Sequence, residues 1–315
     1  MLRLKSDMGF LKEGKIIIIL MVIGLAMIVV SCRKTDVAPA YVVITQDDIS
    51  VSYDKLDLAQ FNSYSGLTAH NFTDIWLTVN GEKLGTWELP CKIPVLASGK
   101  VTVSMLPGIA MNGMSTTRPE YPFVESFRQE VTLVKGEETV ISPVFSYYGS
   151  SLYFPLVENF ESAGTSFESS DTSAHLYVTK IYDDDLIYKN PTDPSDNNTC
   201  SGWIELAEHS DFEIVSPVVK LPGAGKSVFL ELNYKCDQDL FIGLVAIQST
   251  SVPTHEALVG LRATGGAWKK AYVNLTLAVS RNTTATGFRV VLSGAKNGSE
   301  VANYYFDNIR VMYLY

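Results

Sequence analysis

The chain has 315 residues, and its 34 Asp and Glu outnumber its 25 Lys and Arg, giving a formal net charge of −9 at pH 7. This acidic balance disfavours phosphate backbones, and no Lys/Arg-rich stripe with interleaved aromatic residues occurs, so we expect no nucleic-acid partner. The length allows two domains of ordinary size or one large β domain.

Residues 1–31 are predicted to be an export signal. A basic segment precedes an apolar run over 16–30, which at about 15 residues is shorter than the roughly 20 that span a membrane. The run ends in Val-Val-Ser-Cys32, which resembles the lipobox cut by bacterial lipoprotein signal peptidase. The resemblance implies acylation of Cys32, a tether over 32–40 and a lipid anchor in the outer membrane.

Residues 41–148 are predicted to form the first of two β-sandwiches, of immunoglobulin- or prealbumin-like type. The strand Asp74–Val79 is followed by Asn80-Gly81, the strongest short hairpin signal. Other strands are predicted at Tyr41–Ile44, Lys83–Leu89, Lys100–Leu106, Arg128–Leu133 and Thr139–Phe145.

Residues 152–315 are predicted to form a second sandwich, a jelly roll, because about ten short strands are separated by Gly, Pro, Asn and Asp turns. The acidic, Asn-rich tract 183–201 is predicted to be a long exposed loop. Strands are predicted at Leu152–Leu156, Phe160–Ser162, His175–Tyr182, Trp203–Ala207, Ser227–Cys236, Leu240–Ile247, Ala257–Arg262, Trp268–Leu277, Gly287–Leu292 and Tyr304–Tyr313.

Three cysteines remain after Cys32, namely Cys91, Cys200 and Cys236. Three cannot form a closed disulfide framework, although one bridge, such as Cys200 to Cys236, stays open in an oxidising compartment. The alternation of side chains along 228–236 directs Cys236 toward a buried face, which favours a core thiol.

The segment Asp74–Pro107 resembles PEGA-like and prealbumin-type modules of bacterial surface proteins, through Trp76–Gly85 and Gly99–Val103. Residues 41–148 as a whole are similar to the N-terminal part of lipoproteins from the Bacteroidota. In that phylum an acidic run often follows the lipidated cysteine of surface-exposed lipoproteins. Residues 33–36, Arg-Lys-Thr-Asp, depart from that pattern, which favours the periplasmic face over the cell surface.

Residues 152–315 resemble the jelly rolls of carbohydrate-binding modules, through Asn159–Ser162 and Tyr304–Arg310. The resemblance implies a structural calcium ion held by Glu161 and Asp307, and a packed core aromatic at Trp268. The residues alone leave another alternative open. A buried carboxylate needs compensation, which hydrogen bonds from backbone amides or an Arg supply as well as calcium does.

The sequence lacks the common catalytic motifs, so we predict that the protein is not an enzyme. The turn 223–227 lacks the first glycine of a phosphate loop and precedes a predicted strand instead of a helix. His255-Glu256 begins like a zinc-protease helix, but Val259 stands where the second histidine is needed. No Gly-x-Ser-x-Gly elbow occurs.

A long tract rich in Met, Ile, Tyr and Phe, interrupted by Gly and Pro, connects two predicted strands over 107–123. One alternative is a loop folded back over its own sandwich. The other is a surface for a partner protein, since Met and aromatic residues are favoured at interface cores. The predicted contact residues are Pro107, Ile109, Met111, Met114, Arg118, Tyr121 and Phe123.

The leading functional hypothesis is a membrane-anchored, non-enzymatic interaction or accessory subunit of an outer-membrane protein assembly or transport complex, bound through 107–123. The alternative is a glycan-binding surface lipoprotein that uses the jelly roll. In that case Trp203, beside the 183–201 tract, is the candidate exposed platform for a sugar ring.

Overall fold

The computed structural model describes residues 38–61, 63–170, 177–207, 210–249 and 252–315. Cys32 and the predicted export signal therefore lie outside the described residues. Residues 40–315 form one compact unit. Within the described part of the chain, no helix has the length and apolar character needed to cross a membrane.

The first half of the compact unit contains a four-stranded sheet in the order β4-β3-β6-β7, a three-stranded sheet β5-β1-β8 and the pair β2-β9. Short 3-10 turns occupy Gln46–Asp48 and Leu58–Gln60. The strands are β1 Ala40–Ile44, β2 Ser50–Ser52, β3 Asp74–Val79, β4 Glu82–Glu88, β5 Cys91–Val95, β6 Gly99–Gly108, β7 Phe127–Leu133, β8 Glu138–Val140 and β9 Val144–Ser146.

The second half contains a six-stranded sheet, in the order β12-β13-β20-β15-β18 with β10 also paired to β20, and a five-stranded sheet β11-β14-β19-β16-β17. One short helix, α1, covers Thr276–Arg281. The strands are β10 Leu152–Glu158, β11 Glu168–Ser169, β12 Thr179–Ile181, β13 Ser201–Leu206, β14 Asp211–Val215, β15 Val228–Cys236, β16 Leu240–Ile247, β17 Thr254–Leu261, β18 Lys269–Asn274, β19 Gly287–Ala295 and β20 Ala302–Leu314.

The prediction of an all-β fold is confirmed, and so is the β3-β4 hairpin. Asn80 and Gly81 have φ values of 50° and 85°, the left-handed conformation that a two-residue hairpin turn requires. The predicted strand 139–145 is instead two short strands, β8 and β9. The predicted strand 268–277 ends at Asn274, whose side chain accepts a hydrogen bond from the backbone of Thr276, the first residue of α1.

Two large apolar cores run through the described part of the compact unit, beside a small cluster of Val215, Val245 and Val291. One lies between the six- and five-stranded sheets. The other lies in the first half but includes Phe229, Tyr272 and Met312, which belong to β15, β18 and β20. The first half of the chain therefore packs on the outer face of the six-stranded sheet, and this contact positions the candidate site.

Candidate functional site

The outer face of the six-stranded sheet has two ends of different character. Along β15, the residues Phe229, Glu231, Asn233 and Lys235 face outward, because Val228, Leu230, Leu232, Tyr234 and Cys236 point into the core between the two sheets. We call Phe229, Glu231 and their neighbours on β18 and β20 the covered end. We call Lys235 and its neighbours Tyr305, Trp203 and Trp268 the open end.

A bulge in β20 separates the two ends. The register with β15 shifts between Glu231 and Asn233, and Asn308 adopts a left-handed φ of 49°, which Asn tolerates better than most residues. The bulge changes which residues of β20 face outward: Tyr305 lies opposite Lys235, and Arg310 lies opposite Glu231.

Glu231, Arg310 and Lys270 form a buried ionic cluster at the covered end. Glu231 Oε2 lies 3.0 Å from Arg310 Nε, 2.7 Å from Arg310 Nη2 and 3.1 Å from Lys270 Nζ. All three side chains are at most 3% exposed. Burial acts to raise the pKa of Glu231, but the charges of Arg310 and Lys270 outweigh it and hold that pKa below its ordinary value. Burial, with the charge of Arg310, lowers the pKa of Lys270 to about 8.

Side chains from the first half of the chain close over this cluster. Tyr121 donates its hydroxyl to Glu231 Oε1, and Arg310 Nη2 donates to the Tyr147 hydroxyl at 2.8 Å. Phe123 packs edge-on against Phe229 with ring centres 5.4 Å apart. The covered end is thus an intramolecular junction from which water and ligands are excluded.

The prediction that 107–123 binds another protein is wrong for its buried side chains. Ile109, Tyr121 and Phe123 are at most 2% exposed, and Pro107 is a buried residue of β6. Tyr121 and Phe123 pack edge-on against Tyr272 and Phe229 of the six-stranded sheet of the same chain. The tract is therefore closer to the other alternative, a loop that folds back on its own molecule.

Three predicted contact residues of this tract have other surroundings. Met111 is half-buried and forms an isolated bridge with Tyr272, while Met114 is 46% exposed. Arg118 forms ion pairs with Asp74 at 2.8 Å and Glu88 at 3.2 Å. A role for these three in binding a partner stays a prediction.

Trp203 lies at the open end, in register with Tyr305 on β20 and Thr179 on β12. The ring is half-buried, and its Nε1 donates to Asn303 Oδ1 at 3.0 Å. Asn303 in turn donates to Asp237 Oδ2 at 3.1 Å. The indole is therefore fixed along its polar edge while part of it stays accessible to solvent.

The open end continues from Trp203 through Tyr305 and Lys235 to Trp268. Lys235 Nζ lies 4.4 Å from the centre of the Tyr305 ring and 5.6 Å from that of Trp268. Trp268 is half-buried on this outer face, so the expectation of a core residue is wrong. Its indole N–H requires an acceptor, which it finds at 3.2 Å in the carbonyl of Leu186.

The tract 183–201 covers the middle of the outer face, so the prediction of an exposed loop is wrong for several of its side chains. Ile187, Tyr188 and Asn198 are at most 7% exposed. Tyr188 packs edge-on against Trp268 at 5.5 Å between ring centres. The polar centre of the sheet face requires this cover because its buried groups need hydrogen-bond partners.

Asp307 lies in this polar centre and is fully buried. Its Oδ2 accepts hydrogen bonds from Asn198 Nδ2 and the Ser201 hydroxyl, and its Oδ1 accepts one from the Asn308 backbone. Burial outweighs these bonds and raises the pKa of Asp307 well above its ordinary value. The chain itself therefore satisfies both carboxyl oxygens.

Glu161 is likewise bound by its own chain. It accepts hydrogen bonds from the backbone and hydroxyl of Thr199 at 2.8 and 2.6 Å and from the Cys200 backbone at 3.2 Å. Among the described residues, no group of three or more His, Cys, Asp or Glu side chains could hold a metal ion. Glu161 and Asp307 take these hydrogen bonds from their own chain, and a calcium ion held by them stays a prediction.

Cys91, Cys200 and Cys236 are buried free thiols, so the bridge left open between Cys200 and Cys236 is not formed. Cys236 is 1% exposed, which confirms the predicted core thiol. Burial raises its pKa to about 12, which makes it a poor nucleophile.

The fold and this face define an all-β protein whose second half is a jelly-roll-like sandwich. No protein-family model matches the chain, and no curated protein matches it. The chain is similar to the CBM22-1 xylan-binding domain of Paenibacillus barcinonensis Xyn10C, at 10% identity and a TM-score of 0.38, over 53% of this chain and 98% of that one.

Two further solved structures show a similar level of likeness. The CBM22-1–GH10 modules of Clostridium thermocellum xylanase 10B match at 12% identity and a TM-score of 0.38, over 51% of this chain and 28% of that one. TmCBM61 in complex with β-1,4-galactotriose matches at 14% identity and a TM-score of 0.28, over 46% of this chain and 86% of that one. At such values nothing about function passes from these proteins to this chain.

Proposed function

We propose that this protein binds a glycan at the open end of the six-stranded sheet and does not chemically transform it. The observation that carries the proposal is Trp203, whose indole edge is fixed by Asn303 while part of the ring meets solvent. The exposed carboxylates of Glu205 and Asp237 lie on the same part of the surface. Sugar rings stack their C–H groups on aromatic rings and donate their hydroxyls to carboxylates, so this surface matches both needs.

The hypothesis of an accessory subunit in a larger assembly has weaker structural support than glycan binding. Its main observation was the tract 107–123, whose large side chains pack within the same chain. Met114 remains exposed, but a single side chain is far below the roughly 800 Å² per partner of a stable protein interface.

The proposal includes a lipid anchor at Cys32, with the protein on the periplasmic face of the outer membrane. The Cys32→Ser variant should lose its acyl chain and leave the membrane fraction, which mass spectrometry of the N-terminal peptide and fractionation will show. Cleavage of the protein by protease on intact cells would instead place it on the cell surface.

The glycan proposal is tested by affinity electrophoresis of the mature protein in gels that contain soluble xylan, mannan, glucan or galactan. We expect at least one of these polymers to retard the protein, and Trp203→Ala to weaken that retardation by about tenfold, or roughly 1.4 kcal/mol. Val252→Ala removes a side chain that is 84% exposed and serves as the matched control.

Unchanged migration of the wild-type protein in every gel would overturn the proposal. Retardation that is equal for the wild type and Trp203→Ala would overturn the assignment of the site. Unfolding midpoints of both variants, measured by circular dichroism, separate lost binding from lost folding.

A further inference from the structure

A second aromatic ring meets solvent in the first half of the chain. Trp76, on β3, is half-buried and lies opposite Thr86 on β4 and Leu106 on β6. Its neighbours Ile75 and Leu77 are at most 1% exposed and point into the core. Side-chain alternation therefore places the indole on the outer face of the four-stranded sheet.

The indole lines a depression of about 270 Å³, which we call the Trp76 groove and define by Trp76, Thr78, Lys83, Ser104 and Glu120. Thr78 lies opposite Lys83 on one neighbouring strand and opposite Ser104 on the other. The groove thus combines an aromatic wall with two hydroxyls, one ammonium and one carboxylate.

Two glycines shape the Trp76 groove. At Gly108 a Cβ atom would come within 2.8 Å of Asp74 Cβ and 3.3 Å of Trp76 Nε1, so the missing side chain allows both Asp74 and the indole to lie close against β6. At Gly85, which also lines the groove, nothing lies within 4 Å of the position a Cβ would take. The space beside the ring is therefore kept free of side-chain atoms.

The polar groups of the groove have unused hydrogen-bonding capacity. Lys83 and Glu120 are exposed, and neither belongs to an ion pair within the described residues. Trp76 Nε1 is buried without a hydrogen-bond partner among the same residues. The indole accordingly offers a ligand its apolar surface, and hydrogen bonding falls to Lys83, Glu120 and the two hydroxyls.

We infer that the Trp76 groove is a second glycan-binding site, which takes a neutral sugar ring stacked on Trp76. One cation and one anion give the groove no net charge, so an acidic sugar gains nothing there. The volume and polar rim suit a sugar ring better than a protein surface, which needs a larger and more apolar patch. The inference extends the proposed function to another face but rests on none of its residues.

Two sites on one chain have a measurable consequence. A short oligosaccharide fills each site separately, whereas a long polysaccharide that engages both gains avidity without any new contact. The loss of either site should therefore weaken polymer binding by more than the affinity of that site for a short oligosaccharide suggests.

The test is a calorimetric titration of the mature protein with neutral hexasaccharides of xylan, mannan, glucan and galactan. We expect two binding events for the wild type, one for Trp76→Ala, one for Trp203→Ala and none for the double variant. Lys83→Met changes an exposed side chain, keeps the fold and should weaken the Trp76 site alone by about tenfold. Leu96→Ala, at a position 76% exposed in the same half, is the matched control.

Each outcome separates this inference from the proposed function. One binding event in the wild type that Trp76→Ala and Lys83→Met leave intact overturns the Trp76 site and leaves the open end standing. One event that Trp76→Ala abolishes and Trp203→Ala does not touch supports the Trp76 site and overturns the open-end site. Binding of polygalacturonate but of no neutral hexasaccharide at Trp76 overturns the assignment to a neutral sugar.

Discussion

The covered end and the open end are built on the same strands, yet the first is buried inside the molecule and the second lies partly at its surface. At the covered end, Glu231 and Arg310 are at most 3% exposed and are closed over by Tyr121 and Tyr147. At the open end, four residues further along β15, Lys235 and Tyr305 are at most 8% exposed, but the neighbouring rings of Trp203 and Trp268 are only half-buried. One sheet face thus serves first as an internal junction and then as a surface.

This difference has an energetic meaning. Two cations share one carboxylate at the covered end, and both are removed from water, so the cluster is a weak source of stability as long as it is complete. Removal of one member strongly destabilises the protein, because it leaves a buried charge without its partner. At the open end Trp203 and Trp268 are half-buried, so water can replace a partner that either indole loses, and such a change costs little.

The largest expected effect is that of Glu231→Gln. It leaves Arg310 and Lys270 buried without their counter-charge and should lower the free energy of unfolding by about 3–5 kcal/mol. Urea unfolding followed by circular dichroism measures it. The matched control is Glu130→Gln, which breaks the exposed pair with Lys100 and should cost less than about 1 kcal/mol. Equal costs for the two variants would contradict the contrast between the covered cluster and the surface.

Local features of the chain were predictable from sequence because they depend on neighbouring residues. Asn80-Gly81 predicted the hairpin, and alternation along β15 predicted the burial of Cys236. The same alternation gave no sign that Glu231 is buried too. Its partners Tyr121 and Arg310 lie 110 and 79 positions away, and nothing in a single sequence specifies that such distant segments meet.

The candidate site was predictable in part. The sequence predicts Trp203 to be an accessible aromatic residue beside the 183–201 tract. Its half-buried state and its register with Tyr305 support this prediction. The sequence does not indicate the half-buried position of Trp268, because the indole N–H finds its acceptor in a distant loop, at Leu186. The Trp76 groove depends on Gly85 and Gly108, which lie on the strands β4 and β6 on either side of β3. These residues come together beside Trp76 only when the sheet forms.

The next expected effect compares the loss of one hydrogen-bond donor at each end. Tyr121→Phe leaves a buried oxygen of Glu231 without its partner and should cost about 1–3 kcal/mol. Trp203→Phe removes the donor to Asn303, which water can replace, and should cost below about 1 kcal/mol. Denaturant midpoints of both variants give the comparison, and a larger loss for Trp203→Phe would contradict it.

A smaller effect is expected from pH, through Lys270. The pKa of this lysine is about 8 in the native protein and about 10.5 in the unfolded chain, so between these values the unfolded state binds more protons. Lys270 alone should therefore make the free energy of unfolding rise as pH increases from about 8 toward 10. The buried thiols of Cys91 and Cys236, whose pKa values burial raises to about 11 and about 12, act in the opposite direction in the same window. Tyr121 and Tyr272, whose pKa values are raised by burial, act in the opposite direction at higher pH.

The Lys270→Met variant isolates the contribution of Lys270 to the pH dependence of the free energy of unfolding. Between about pH 7.5 and about pH 9.5, the free energy of unfolding, measured in urea, should change more favourably with pH in the wild type than in the variant, because the two proteins share every other titrating group. Burial lowers the pKa of His70 to about 4, so the stability that depends on neutral His70 is lost as pH falls from 6.5 to about 4. His70 therefore does not contribute to the change between about pH 7.5 and about pH 9.5. An equal change with pH in the two proteins would show that Lys270 makes no contribution.

The smallest expected effect concerns calcium. Asn198, Ser201 and Asn308 donate hydrogen bonds to both oxygens of Asp307, so this carboxyl is stabilised without a cation. A structural calcium ion in excess over its Kd by about 100-fold would stabilise the protein by about 2.7 kcal/mol. We expect instead that the thermal midpoint is the same in excess calcium and in excess EGTA. A thermal midpoint that rises with calcium in the wild type but not in Glu161→Gln would contradict this expectation. It would show that calcium binds at Glu161 in place of some of these hydrogen bonds.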